Sequence, residues 1–414
     1  EVLLRPVSDD VAIIMSGAAA RGAFQAGALT RIIPALLAEG HRPSLFLGTS
    51  VGAINAAMWG SLAHLDPDDA AQQMLHTWRA MDSKGIHRHP LRTMLTGDGP
   101  RLLLSMAGIG HGASALLDTS PLATRSARLV DMEQLARNVE DGHIDGIGVT
   151  ATRMPRASGG QEGRDRPRTM MFMHGPGLPL HKVRDPARAV DVCEGPLTAE
   201  HVLASAAIPM GFPPVRIDHP ADVAGWYCDG GVRLNAPLRP AIALGAKRVV
   251  VIDSMPNDPG EPLPPSPADE PMPPLSDIAA MLLDATMGNE VAEDIRLLRT
   301  RNLMLAQAIA AEAQVRHSDG TLMGVTPYIV VSPEPGELRS LAEDVVSEKT
   351  GNPLSSVFNS VPYALSRALR ALGNSPGHME LFSYLFFDKD YFQAQIDVGI
   401  AAADQAIANG WLDY

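Results

Sequence analysis

The pentapeptide Gly48-Thr49-Ser50-Val51-Gly52 constrains this chain more than any other stretch. The apolar run Leu45-Phe46-Leu47 precedes it and the helix-compatible run Ala53-Ile54-Asn55-Ala56-Ala57-Met58 follows it, which predicts a sharp turn from a strand into a helix. Such a turn has room only for very small residues two positions before and after the serine, and Gly48 and Gly52 fill those places. The hydroxyl of Ser50 is then thrust above the sheet. The helix opening at Val51 aims unpaired amides and the positive end of its dipole at the same point, where an oxyanion would form during acyl transfer. Taken alone the pattern is weak, because glycine and serine are common, and by itself it favours an ordinary strand-to-helix loop.

Three further segments change the weighing. Val11-Ala12-Ile13-Ile14-Met15 reads as a buried strand running into Ser16-Gly17-Ala18-Ala19-Ala20-Arg21-Gly22 and then into a helix from Ala23 to about Leu37. A loop of tiny residues at a helix start bares backbone N–H groups. Its spacing fits neither the dinucleotide glycine pattern nor the phosphate loop that ends in Lys-Ser/Thr. An oxyanion hole built from Gly17, Ala18, Ala19, Arg21 and Gly22 is the better functional reading; a tight packing turn would explain the small residues but not the arginine. Trp226-Tyr227-Cys228-Asp229-Gly230-Gly231 reads as a strand end that delivers a carboxylate into a glycine turn, the place where α/β enzymes put catalytic groups. Asp-Gly-Gly is also a frequent plain turn. Ala204-Ser205-Ala206-Ala207-Ile208-Pro209 reads as a small-residue helix stopped by proline, and the stiff segment Met210-Gly211-Phe212-Pro213-Pro214-Val215 follows it.

In this order the four segments resemble the patatin-like phospholipase family. Leu117-Asp118-Thr119-Ser120-Pro121-Leu122, Val149-Thr150-Ala151-Thr152, Asn235-Ala236-Pro237-Leu238 and Gly245-Ala246 look like that family's connecting segments. The tail around Leu385-Phe386-Phe387-Asp388 and Tyr391 is similar to the ends of bacterial members. The resemblance implies an α/β fold: a three-layer core with a mostly parallel sheet and a helical C-terminal extension. It also implies a lipid acyl hydrolase (phospholipase, lysophospholipase or esterase) that needs no cofactor and works through an acyl-enzyme, with Ser50 as nucleophile and Asp229 as its partner, and without histidine. An ordinary aspartate has a pKa near ~4, so it can accept the serine proton only as attack proceeds; partial burial beneath Gly230 and Gly231 would raise its basicity. A Ser-Asp-His order would leave His317 and His378 as third members, and both look like polar surface loops. His64, His76, His174 and His201 read as surface or structural.

One departure from the family matters. Ala18 and Ala19 stand where the family has glycine, and a positive φ at either would strain the backbone by roughly 1 kcal/mol or more. The expectation is a backbone compatible with negative φ and a preformed hole, with Arg21 locking the loop through hydrogen bonds to backbone carbonyls. An acyltransferase on the same scaffold and a catalytically weakened binding or regulatory protein are the rival readings.

Composition bounds the rest. Hydrophobic residues make up 45% of 414, enough for one large core or two smaller ones, and no apolar run approaches the ~20 residues of a spanning helix. With 34 basic against 47 acidic side chains the formal charge of −13 opposes non-specific attraction to nucleic acid and to anionic lipid surfaces. The resemblance implies a lipid or acyl-ester partner with peripheral membrane contact, and a cytoplasmic or membrane-peripheral location is the expectation. Cys193 and Cys228 are too few for a disulfide framework, and no metal-ligand spacing occurs. The chain divides into an α/β catalytic domain (1–254), a proline-rich connector (255–275) and a helical C-terminal region packed on the core (276–414). A run of arginines (Arg153, Arg156, Arg164, Arg166, Arg168) around Ser158-Gly159-Gly160 reads as a surface loop. Met170-Met171-Phe172-Met173 reads as core ahead of an acyl pocket. Ile278, Met281, Leu282, Ala285, Val291, Ile295, Leu298, Asn302 and Leu305 recur at helical spacing, which predicts a long amphipathic helix broken near Gly288 and packed against the core.

Overall fold

The structure is a computed structural model that describes residues 10–81, 129–155, 166–209, 211–256, 272–287, 289–317, 319–350 and 376–414. Leu117–Leu122, Arg156, Ser158–Gly160, Arg164, Met210, Gly288 and most of the proline-rich connector lie outside the described residues.

Strand β1 (Asp10–Met15) is apolar throughout because both its faces are covered: Val11, Ile13 and Met15 point to one side, Ala12 and Ile14 to the other, and all are buried. Helix α1 (Gly22–Ala38), β2 (Arg42–Thr49), α2 (Val51–Leu62), α3 (Pro67–Ala80) and α4 (Met132–Glu140) follow. Next come β3 (Gly146–Arg153), β4 (Arg168–His174), β5 (Val190–Glu194), α5 (Ala199–Ser205), β6 (Val215–Ile217) and β7 (Gly225–Asp229). The chain continues through α6 (Leu238–Ala243), β8 (Arg248–Ile252), α7 (Leu275–Met287), α8 (Asn289–Ala310), β9 (Tyr328–Val331), α9 (Glu337–Thr350), α10 (Pro376–Leu385) and α11 (Lys389–Asn409).

The described strands form one sheet in the order β5-β4-β3-β2-β1-β8-β9, with β7 paired to β3 and β6 paired to β7. From β3 to β9 along that path every pairing is parallel; β4, β6 and β7 supply the antiparallel ones. The C-terminal region therefore contributes more than helices, since β9 extends the sheet beside β8. Helices α1, α2, α3 and α11 share one buried cluster with one face of the sheet, and α6 and α8 share another with the opposite face, which makes three layers.

The last helix is built into the first layer. A Cβ at Gly27 would lie 2.3 Å from the carbonyl oxygen of Ile396, and one at Gly399 would lie 2.1 Å from that of Phe24, so α1 and α11 touch backbone to backbone. Met170–Met173 lies buried on β4, where core was expected. The predicted amphipathic helix is two helices, and only the second packs as expected. Val291, Leu298 and Leu305 of α8 are buried, whereas Ile278, Met281 and Leu282 of α7 stay exposed because α7 packs through its other face on α10 and on the turn Gly230–Val232.

The arginine run is structural at its ends. Arg153 and Arg168 are register partners in the β3–β4 pair; Arg153 donates to the carbonyl of Ala224, 2.8 Å away, and Arg168 forms a two-pronged pair with Asp191 at 2.5 and 2.9 Å. Among the described residues, no helix is long and apolar enough to cross a membrane.

Candidate active site

Ser50 joins β2 to α2 with φ 56° and ψ −125°, a conformation that strains any residue with a side chain. The strain sits on the serine itself. Its neighbours are glycine because of close approach: a Cβ on Gly48 would meet the carbonyl oxygen of Gly52 at 2.2 Å, and one on Gly52 would meet that of Met15 at 2.3 Å. The amide of Ser50 donates to Ser205 Oγ at 2.9 Å, which pins the elbow to the end of α5.

Sheet register brings Asp229 to the same level. Thr49 pairs with Thr150, and Ala151 one residue further along β3 pairs with Asp229 at the end of β7. The amide of Asp229 donates to the carbonyl of Ala207 at 2.8 Å, so the segment after Ser205 braces both residues. Gly230 presses so closely on β3 that a Cβ there would sit 2.4 Å from the carbonyl oxygen of Thr150, and the amide of Gly231 donates to Asp229 Oδ1 at 2.7 Å. Asp229 is only 1% exposed, and burial pushes its pKa up to about 7 against the pull of the Ser50 hydroxyl and the Gly231 amide. The hydroxyl is near enough to exert that pull but falls short of full hydrogen-bond geometry, leaving Oδ2 buried without a donor among the described residues.

Among the described residues no imidazole is hydrogen-bonded to Ser50 or Asp229. His317 is exposed, as expected, but His378 is buried within α10 rather than on a surface loop, because α10 packs inward on the turn Ala19–Arg21. His174 and His201 are buried; His201 stacks on Phe172 and caps α5, and burial pushes its pKa down to about 4.

The loop from Ser16 to Gly22 departs from expectation in three ways. Ala19 has φ 52°, so the backbone does require a left-handed residue where the family's glycine is missing; only Ala18, at φ −157°, keeps a negative angle. The Gly17 amide is engaged by Asn235, through its carbonyl at 3.2 Å and its Oδ1 at 3.1 Å, and so is taken up in holding the loop. The amides of Ala18 and Ala19 have no acceptor among the described residues. Among the described residues the Arg21 side chain binds no backbone carbonyl. Its guanidinium, 3% exposed, donates to Glu380 and Ser383, both at 2.5 Å, and to the sulfur of Met255 at 3.3 Å, and it lies 3.9 Å from the ring centre of Tyr384.

A buried polar chain supports the loop from below. Gln25 Nε2 donates to the carbonyl of Ser16 at 2.7 Å; Asn55 Nδ2 donates to the carbonyl of Gly22 and to Gln25 Oε1, each at 2.9 Å; and Trp78 Nε1 donates to Asn55 Oδ1 at 2.9 Å. At its root Ser16 Oγ donates to Asp253 Oδ1 at 2.6 Å, and burial pushes Asp253 up to about 7. Ser205, Asn235 and Asn55 stand in segments whose pattern was legible, but their partners were not. Asp253 follows β8 with no local signal at all.

An apolar pocket opens beside Ser50. Ala19, Ile54, Trp78, Ile208, Phe212 and Phe387 line it, drawn from the loop, the elbow helix, α3, the proline-stopped segment and the tail. A serine on a strained strand-to-helix turn, a buried carboxylate and an apolar pocket thus meet at one end of the sheet. The patatin-like phospholipase family model matches residues 13–242, and the chain belongs to this family of lipid acyl hydrolases. No curated protein matches it. Among solved structures, VipD from Legionella pneumophila is similar at 13% identity over 97% of this chain and 88% of that one, with a TM-score of 0.31.

Proposed function

We propose that this protein hydrolyses lipid acyl esters through a Ser50–Asp229 dyad. The observation that carries the reading is a strained serine lining an apolar pocket, with a buried, raised-pKa carboxylate beside it and, among the described residues, no imidazole bonded to either. The Ser50 oxygen attacks the ester carbonyl carbon as its proton passes to Asp229 Oδ2, the carboxylate oxygen that has no donor among the described residues. The developing oxyanion is met by the amides of Ala18 and Ala19 and by the start of α2. Collapse of the tetrahedral intermediate breaks the bond to the leaving alcohol, which takes the proton from Asp229. Water then attacks the acyl-enzyme, gives its proton to Asp229, and Ser50 leaves with that proton as the fatty acid departs. Apart from Ser50 the lining is apolar among the described residues, which suits an acyl chain better than a charged headgroup.

The test is Ser50→Ala assayed on a short-chain nitrophenyl ester, with fluorophosphonate labelling of the wild type in parallel. Hydrolysis and labelling should both vanish while the fold persists, because one hydroxyl is removed and no core packing. Retained hydrolysis in the variant would refute the assignment. Product that incorporates added alcohol in preference to water would instead support acyl transfer.

A further inference from the structure

The loop that would hold the oxyanion contains a residue in an unfavourable conformation. Ala19 at φ 52° lacks the freedom of glycine, so the segment between β1 and α1 does not keep this shape by local preference. Its immediate neighbours are held by the far end of the chain. Gln395 Nε2 on α11 donates to the carbonyl of Ala20 at 3.0 Å. Arg21 is clasped by Glu380, Ser383 and Tyr384, all on α10, and Tyr384 also donates to the sulfur of Met255, so ring, guanidinium and sulfur close over one another. Ala19 packs with Met255 and Tyr384 in a small cluster of its own. Burial opposes the charge of Arg21, but Tyr384 and Glu380 outweigh it and its pKa is raised, so the guanidinium stays charged and paired.

Resting on the hydrolase reading above, we infer that α10 is a latch: Glu380, Ser383 and Tyr384 act through Arg21 as positioning residues that hold the Gly17–Gly22 loop with Ala19 left-handed, so that the Ala18 and Ala19 amides face the reacting carbonyl. Arg21 is spent on the latch and not on the substrate. Of the loop's other supports, Asn235 at Gly17 and Asn55 at Gly22 grip its ends and Gln395 of α11 holds the Ala20 carbonyl, while the Ala19 side chain itself packs on Met255 and the latch residue Tyr384.

Glu380→Ala in the full chain tests this. The change should lower kcat by about tenfold with KM within about twofold, because the oxyanion donors matter in the transition state more than in substrate binding. Adding Ala19→Gly should return most of the lost kcat, since glycine adopts the left-handed conformation without the latch. Hydrogen exchange at the amide of Arg21, which donates to the Ala18 carbonyl across Ala19, should quicken in Glu380→Ala and remain unchanged in the strands. That measurement needs no turnover, so faster loop exchange in a protein without esterase activity would sustain the latch and sink the hydrolase reading. If Glu380→Ala does not fold, Ser383→Ala removes one donor–acceptor contact and should give the same pattern in weaker form. Unchanged kcat with unchanged loop exchange, a rise in KM alone, or failure of Ala19→Gly to restore kcat would overturn the inference.

Discussion

The molecule carries two buried Ser–Asp pairs at the same end of its sheet, and they differ instructively. Ser16 and Asp253 follow neighbouring parallel strands, β1 and β8; Ser50 and Asp229 follow β2 and β7. In both pairs burial raises the carboxylate to about 7, and in both a backbone amide two residues further on donates to it, Met255 at 3.1 Å and Gly231 at 2.7 Å. Yet Ser16 is fully enclosed, its hydroxyl already spent on Asp253 at 2.6 Å, whereas Ser50 sits on strained backbone beside a pocket with its hydroxyl uncommitted. The side-chain pair alone does not make a nucleophile. Access to a carbonyl, an unspent hydroxyl and waiting amides separate the chemical pair from the structural one.

The sharpest way to break this contrast is to make the same deletion in both pairs. Ser50→Ala should lower turnover at least about a thousandfold, whereas Ser16→Ala should lower it by less than about tenfold and leave fluorophosphonate labelling at Ser50 intact. Comparable losses in both variants would erase the distinction. Asp229→Asn keeps the shape but cannot accept a proton, and should cost roughly a hundredfold or more in kcat. His317→Ala and His378→Ala should each leave kcat within about threefold in folded protein; a collapse in either would bring a third catalytic group into the scheme.

The pH behaviour sharpens the comparison further. As a base Asp229 must be ionised, so kcat/KM should rise with pH through about 7 and level off above it, and Asp229→Asn should lose that limb. Stability should run the other way. Both carboxyls hold their protons more tightly in the folded chain than the ordinary value near ~4 allows, so their contribution is complete below that pH and is lost as pH rises through about 7. Asp253→Asn, which retains an acceptor for Ser16 and Met255, should therefore raise Tm at about pH 8 and change it little at about pH 4. A Tm gain that is the same at both values would show that Asp253 is not the group being titrated.

The smallest effect concerns Ser205. Ser205→Ala leaves the Ser50 amide without its buried acceptor and should cost about 1–3 kcal/mol in stability, read as a lower denaturation midpoint. No change would mean that the glycine contacts fix the elbow unaided.

What was legible in the sequence follows a physical rule. The elbow, the small-residue loop and the Asp-Gly-Gly turn were readable because steric demands there fix the residue type on the spot: Gly48 has to admit the backbone of Gly52, Gly52 that of Met15, and Gly230 that of Thr150. The buried Met run on β4 and the break between α7 and α8 were local in the same sense. The left-handed Ala19 was not legible, since alanine advertises negative φ and the force that overrides it arrives from α10 and α11. Asp253, Asn235 and the true partners of Arg21 were hidden for the same reason, as each meets its partner across more than two hundred residues of chain. Arg21 signalled that the loop is anchored. It could not signal to what.

The glycine contact between α1 and α11 has a consequence for how the protein comes into being. Helix α1 lies backbone to backbone against α11, which is encoded far downstream, so one face of the nascent layer stays unroofed until α11 has been made. The elbow can form early, since β1, β2 and α2 are contiguous, but the loop beside it stays unbraced during synthesis. A chain stalled before Lys389 should accordingly expose its young core to protease and show little esterase activity, acquiring both protection and turnover only once α11 has been made and packed. Synthesis itself would then act as a safety catch on a lipid-cutting enzyme.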